Sequence, residues 1–152
     1  MKARRRARVV ALQALYEIDC VGHPPGLVLE QRLDINRLPE PNASFAEQLV
    51  TGVLLYQSVL DPFIQQHAPE WPLDQMAYID RNILRMALYE IAVAKGTPVK
   101  VAINEAVELA KQFGSDSSPR FVNGVLGALV PLKEKIAGQV RDSQLSSDRS
   151  KA

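Results

Sequence analysis

The segment from about Val99 to Phe113 has the most regular apolar spacing in the chain, and this spacing constrains the fold most strongly. A helix has about 3.6 residues per turn, so the pattern gathers apolar side chains on one face. That face consists of Ala102, Ile103, Ala106, Val107, Leu109, Ala110 and Phe113. Gly114 follows directly and is a typical helix end. No segment shows the period-two alternation of a strand, which predicts an all-α protein.

Glycine and proline divide the rest of the chain into further helical segments. We predict helices over about 3–21, 44–67, 74–94 and 118–130, while residues 27–42 are ambiguous. Together they predict a helical bundle in one domain, residues 1–137. Residues 138–152 carry too little apolar area to offset their ordering entropy, which predicts a disordered C-terminal tail.

Three local features qualify this outline. Ser44 with Glu47 three residues later matches a capping box, which predicts a helix start at Ser44. Pro62 could kink or break the helix that follows. Gly124 and Gly127 are costly inside a helix, and we attribute them to close packing between helices.

Composition and motifs indicate binding rather than catalysis. The chain has 152 residues, a net charge of +1 and one cysteine, Cys20, so an intramolecular disulfide and a cysteine zinc site are excluded. It lacks a complete phosphate-binding loop and a nucleophile elbow, and neither His23 nor His67 has a nucleophile at an interpretable spacing. We therefore predict no catalytic residue, metal or cofactor. No signal peptide or membrane span is evident, so the expected location is the cytoplasm.

Positive charge is concentrated in the arginine segment, residues 4–8, which contains Arg4, Arg5, Arg6 and Arg8. On a helix, Arg4, Arg5 and Arg8 continue the sector of the apolar residues that follow, and arginines cannot enter a core unpaired. Either the segment is unwound, or it projects beyond the core and offers its charge to an anionic ligand. A solvated basic start is the alternative.

A second candidate site is the predicted helix start around Ser118-Pro119-Arg120-Phe121. Exposed amides at a helix start attract anions, Arg120 adds charge, and Phe121 could stack on an unpaired base. Phe121 also lies in line with Val125 and could equally belong to the core.

Two acids fall on apolar helix faces and require partners. Asp80 shares a face with Leu84, and its partner could be the helix N-terminus, another side chain or another protein. Glu90 lies among apolar neighbours, and we predict that it forms an internal salt bridge.

Four segments together resemble the NusB family of bacterial transcription antitermination factors: RRRARVVALQALYEID, FAEQLVTGV, IDRNILRMALYEI and VKVAINEAVELAKQFGSDSSPRFVNGVLGAL. The resemblance covers most of residues 4–130. It implies an all-α fold of two packed small helical sub-bundles and no enzymatic activity. It also implies binding of a single-stranded boxA RNA as a heterodimer with NusE, a small-subunit ribosomal protein, within the RNA polymerase antitermination complex on ribosomal RNA operons.

The resemblance also assigns residues. It implies RNA binding by Arg4, Arg5, Arg6 and Arg8 at the start of the chain, and by Ser117, Ser118, Arg120 and Phe121 before the FVNGVL motif. It implies that the partner face involves Tyr16 and Asp80. The alternatives are an accessory domain of an RNA methyltransferase and a protein adaptor that does not bind RNA, and a homodimer is also possible.

Overall fold

The computed structural model describes residues 2–68 and 70–150, and the regular elements in this part of the chain are all helical. The described residues form seven α-helices: α1 Ala3–Val21, α2 Pro25–Asn36, α3 Asn42–Gln66, α4 Tyr78–Tyr89, α5 Val99–Phe113, α6 Ser118–Leu129 and α7 Lys133–Ser150. A π-helical turn, Glu90–Ala94, continues α4, and 3-10 turns lie at Leu73–Gln75 and Val130–Leu132. The predicted all-α class is confirmed. Among the described residues, no helix combines the length and apolar character needed to cross a membrane.

The helices form two groups around one continuous core. The first group is α1, α2 and α3, the second is α4, α5 and α6, and α4 also packs against α1 and α3. The largest fully buried side chains come from both groups and from α7: Leu12, Leu15, Leu49, Leu60, Ile64, Ile83, Leu84, Met86, Leu88, Leu126, Leu129 and Ile136. This arrangement matches the predicted pair of packed sub-bundles, with α4 at the centre.

Glycines fix two features of the first group. Gly22 ends α1 with φ at 80°, a conformation that side chains disfavour, and its N–H donates to the Ile18 carbonyl at 3.1 Å. Gly52 lets α3 approach α4, because a Cβ at that position would lie 2.3 Å from the Tyr89 ring. Any larger residue at position 52 would force the Tyr89 ring out of its position.

The start of α3 differs from the predicted capping box. The helix begins at Asn42, and the Ser44 hydroxyl donates to the Glu40 carboxylate at 2.6 Å instead of capping the helix. Pro62 lies within a continuous α3. The capping prediction is wrong because Glu40, outside the motif, offers Ser44 a nearer partner.

The third predicted helix also begins later than expected, at Tyr78 rather than about 74. The Gln65 side chain accepts the Leu73 N–H at 2.5 Å and donates to the Trp71 carbonyl at 3.1 Å. These bonds hold a turn that ends in extended backbone at Met76, so the chain can enter a helix only after that residue.

The prediction that Gly124 and Gly127 permit close helix packing is wrong. A Cβ at either position would meet no atom within 4 Å. Both residues are exposed on α6, where glycine costs roughly 1 kcal/mol relative to alanine. Packing within the described chain therefore does not explain them.

The predicted disorder beyond residue 138 is also wrong, because α7 runs through this region to Ser150. Ile136, Ala137 and Val140 recur at helical spacing and are buried, and α7 packs against α3 and the π-helical turn. Gln144 also donates a hydrogen bond to the Tyr56 hydroxyl of α3. Three apolar residues are enough here because α3 supplies the other half of the contact. Residues 151–152 lie outside the described part.

Candidate nucleic-acid interface

The Arg8 side chain enters the core and forms an ion pair with Glu90. Its Nε and Nη2 atoms donate to the Glu90 carboxylate at 2.9 and 2.8 Å, and the two side chains are only 4% and 3% exposed. Thr97 also donates to Glu90, at 3.0 Å. The predicted internal salt bridge of Glu90 is confirmed. The prediction that Arg8 projects outward is wrong, because Glu90 satisfies its charge inside the protein.

Arg5 is held at the surface by Glu105 of α5. Its Nε and Nη2 atoms donate to the two carboxylate oxygens, both at 2.9 Å. The hydrogen bond with Arg5 is the main reason that the Glu105 pKa lies below its ordinary value. The Arg5 side chain remains 38% exposed and that of Glu105 is 15% exposed. Arg5 can therefore reach an outside anion only in competition with Glu105.

Arg4 and Arg6 are the exposed members of the arginine segment. The Arg4 guanidinium lies over the Phe45 ring of α3, 3.7 Å from its centre. Arg6 donates to the Asn36 carbonyl at the end of α2, at 3.3 Å. Neither contact neutralises the charge, so both guanidinium groups remain available to phosphate.

The start of α6 presents some of its predicted residues and buries others. Ser117 and Arg120 are exposed, Phe121 is half-buried, and Ser118 is buried. The Ser118 hydroxyl accepts the Ser115 N–H at 2.9 Å, which closes the turn before α6. Ser118 thus shapes this site but is not accessible to a ligand, contrary to the direct contact expected from the sequence.

An open pocket of about 670 Å³ joins the start of α6 to the start of α4. Asp80, Ser117, Arg120 and Phe121 line it, together with Trp71. A second recess, of about 300 Å³, shares Trp71, Arg120 and Phe121 with this pocket. The structure thus brings together four of the predicted site residues, and adds Trp71, which the sequence did not single out. The arginine segment lines neither cavity.

Asp80 retains an unsatisfied acceptor. It lies in the first turn of α4, and its Oδ1 atom is buried without a hydrogen-bond partner among the described residues. An unpaired buried carboxylate oxygen is costly, so a donor from outside the chain would stabilise it. The favourable electrostatics at the N-terminus of α4 do not replace a hydrogen-bond donor to this oxygen.

Tyr16 lies at the surface of α1 with 38% of its area exposed. Its ring packs edge-to-face on Tyr78, with ring centres 6.2 Å apart. A hydrogen bond with Cys20 is the main cause of the raised pKa of its hydroxyl. An exposed, rigid tyrosine of this kind is typical of protein interfaces.

A polar network that sequence reasoning missed fixes the end of α1 to α4. Arg81 donates to Asp19 at 2.7 and 2.6 Å, and Arg85 donates to Asp61 of α3 at 2.8 and 2.9 Å. Burial works to raise the Asp19 pKa, but hydrogen bonds from Arg81 and Asn82 outweigh it and hold the pKa below its ordinary value. Asp19 lies at the same helical spacing as the apolar residues of α1. An acid at such a position was the sequence signal that could have revealed this network.

Comparison with known proteins identifies the family. The NusB family model matches residues 5–131. The chain is 50% identical over 129 residues to the transcription antitermination protein NusB of Roseiflexus sp. (strain RS-1), covering 84% of this chain and 91% of that protein. The corresponding protein of Bacillus subtilis (strain 168) is 50% identical over 123 residues, covering 81% and 91%.

Solved structures agree with the sequence comparison. NusB of T. maritima superposes with a TM-score of 0.79 at 32% identity, covering 84% of this chain and 90% of that one. A chain from a complex of the antitermination factors NusB and NusE with double-stranded RNA superposes with a TM-score of 0.78 at 27% identity, covering 86% and 98%. Sequence, fold and the extent of both matches lead to one conclusion: this chain belongs to the NusB family.

Proposed function

We propose that the protein is a transcription antitermination factor that binds a boxA-type single-stranded RNA as a heterodimer with NusE. In this role it acts by binding rather than catalysis, within the RNA polymerase antitermination complex on ribosomal RNA operons in the cytoplasm. The family supplies the class of function. The observation that supports RNA binding is the open pocket in which exposed Arg120 lies beside half-buried Phe121.

We assign the phosphate contacts to the exposed residues of the arginine segment. Arg4 and Arg6 keep their charge at the surface, and Arg5 joins them when an RNA phosphate displaces Glu105. Contacts of this kind position a nucleic acid without reading its sequence. Arg8 has a different role, since its pair with Glu90 holds the start of α1 against the core.

Base contacts fall to the start of α6. Phe121 supplies an aromatic face for an unpaired base, and Arg120 supplies a charge for the adjoining phosphate. Ser117 is exposed and offers a hydroxyl at the same edge of the pocket. Ser118 contributes through its bond to the Ser115 N–H, which holds the turn that presents Ser117.

The partner face is proposed to contain Tyr16 and Asp80. The unpaired Oδ1 atom of Asp80 supports this role, because a donor from the partner would satisfy it. The exposed Tyr16 ring, held on Tyr78, offers apolar area and a hydroxyl beside it. Both residues belong to helices that the Asp19–Arg81 ion pair joins.

The test is a fluorescence-anisotropy titration of a labelled boxA-type RNA against a scrambled RNA, each with and without NusE. We expect a preference for boxA that increases when NusE is present. Phe121→Ala should weaken boxA binding by roughly tenfold even at high salt, because stacking is not screened. Equal, weak binding of both RNAs in all conditions would contradict the proposal and favour an adaptor that ignores RNA.

A further inference from the structure

The recess of about 300 Å³ lies between α6 and the turn after α3 and is open to solvent. Trp71 and Phe121 line it from the turn and from α6, and Gly124 and Val125 supply α6 surface between them. Two aromatic side chains that line one open recess can enclose a planar group between their faces. The proposed function uses Phe121 but assigns nothing to Trp71 or Gly124.

Trp71 is the only tryptophan of the chain, and 56% of its surface is exposed. Two hydrogen bonds hold the Trp71 backbone: its N–H donates to the Ala68 carbonyl at 3.1 Å, and its carbonyl accepts from the Gln65 side chain at 3.1 Å. An exposed aromatic ring that lines a recess offers a face on which a planar ligand can stack.

Gly124 supplies an independent observation. A Cβ at this position would meet no protein atom within 4 Å, so packing does not require a glycine, although glycine weakens the helix. Gly124 lines the recess, and a side chain there would occupy part of it. Gly127 is equally open but lines neither of the two cavities beside Phe121. The two glycines therefore form a natural pair of test and control positions.

The charges around the recess favour a base over a phosphate. Glu70 and His67 line it, and Arg120 stands between this recess and the larger pocket. A carboxylate repels phosphate but accepts hydrogen bonds from the N–H groups of a base. Arg120 is the cation available to the phosphate that follows such a base.

We propose that this recess binds an unpaired nucleobase of the RNA, with Trp71 as the stacking residue and Gly124 as the floor that keeps the recess open. This inference rests on the proposed RNA binding and adds a second base position beside the one at the larger pocket. Stacking tolerates any base, so the recess adds affinity for unpaired RNA more than it adds sequence preference.

The experiment follows Trp71 emission during a titration of the full chain, in complex with NusE, with the boxA-type RNA. The Trp71→Phe protein with NusE gives the blank for emission from the partner. We expect saturable quenching with the same midpoint as the anisotropy change. Trp71→Ala should weaken RNA binding by roughly tenfold, and Trp71→Phe should restore most of the loss.

The glycine pair separates ligand binding from helix stability. Gly124→Ala should raise the melting temperature by roughly 2–4 °C and yet weaken RNA binding several-fold. Gly127→Ala should raise the melting temperature by a similar amount and leave RNA affinity unchanged. A variant that gains stability while losing affinity has lost room for the ligand.

Three results would overturn this inference and leave the proposed function standing. RNA binding that appears by anisotropy while Trp71 emission stays constant would leave the recess empty. Equal RNA affinity of Gly124→Ala, Gly127→Ala and the unaltered protein would do the same, as would a Trp71 change produced by NusE alone. Absence of any anisotropy change with the unaltered protein would overturn the proposed function together with this inference.

Discussion

The arginine segment has a buried half and an exposed half, although its members lie within about one helical turn. Arg4 and Arg8 both approach the Phe45 ring, at 3.7 and 5.1 Å from its centre. Arg8 then continues into the core to meet Glu90, while Arg4 stays exposed. Two arginines about one helical turn apart thus have different roles: Arg8 stabilises the core, and Arg4 remains available to a ligand.

The difference arises from what each arginine meets on the other helices. The nearest partner of each arginine lies on a different helical element: Arg4 meets α3, Arg5 meets α5, Arg6 meets α2, and Arg8 meets the π-helical turn after α4. Only the last of these partners is a buried carboxylate. The density of positive charge in a sequence therefore overstates the charge that a ligand can reach.

The largest expected effect comes from the buried half. Arg8→Met should lower the free energy of unfolding by about 3–5 kcal/mol, because it leaves the Glu90 carboxylate buried with only Thr97 as a donor. Urea denaturation followed by circular dichroism measures this loss. The double variant Arg8→Met with Glu90→Leu should recover most of it. A loss below about 1 kcal/mol in the single variant would place Arg8 with the exposed arginines.

A smaller effect on stability, but a direct effect on RNA, is expected from the exposed half. Arg4→Ala with Arg6→Ala should cost at most about 1 kcal/mol of stability, since exposed cation–π contacts are weak. The same double variant should reduce the slope of log affinity against log salt by about 1.4, or about 0.7 for each phosphate contact on a single strand.

Anisotropy titrations over a series of salt concentrations measure this slope. Arg141→Ala is the matched control, because Arg141 is also exposed but lies on α7. It should leave the slope unchanged. If the Arg4, Arg6 double variant also left the slope unchanged, the exposed half would have no part in RNA binding.

The sequence predicted helix bounds well where those bounds depend on residues nearby in the chain. The observed bounds of α1, α5 and α6 agree closely with the apolar spacing and the glycine and proline stops. The start of α3 differs because of Glu40, a residue that the capping motif does not include. The whole of α7, with its buried Ile136 and Val140, depends on a surface elsewhere in the chain, that of α3. Composition alone could not show that such a surface exists.

The candidate site shows the same limit: the sequence indicated individual residues but not their distant partners. A buried acid without a local partner indicated the internal ion pair of Glu90, but not that Arg8, 82 positions earlier, would supply the cation. The sequence drew attention to Phe121 and Asp80 separately. That both line one pocket with Trp71 follows from the packing of α4 and α6, which no short motif encodes.

The smallest expected effect lies at the boundary between the two halves, at Arg5. Its bidentate pair with Glu105 is part-exposed, and the lowered Glu105 pKa means that the carboxylate is charged at pH 7. RNA must displace this charge before Arg5 can bind phosphate. A part-exposed pair of this kind stabilises by less than about 1 kcal/mol, so removing it should change affinity by only about two- to threefold.

Glu105→Gln should therefore raise RNA affinity about two- to threefold and steepen the salt slope by up to about 0.7, because it removes the charge that holds Arg5 and one of the two acceptor oxygens. Salt-dependent anisotropy measures both quantities. Glu108→Gln is the control with the same charge change, since Glu108 lies one turn further along α5 and pairs with Lys111 at 3.2 Å. If both variants raised affinity equally, the gain would reflect total charge alone. A gain confined to Glu105→Gln would show that Arg5 belongs functionally to the exposed half. Glu105 would then limit the binding of Arg5 to phosphates where the RNA makes no base contact.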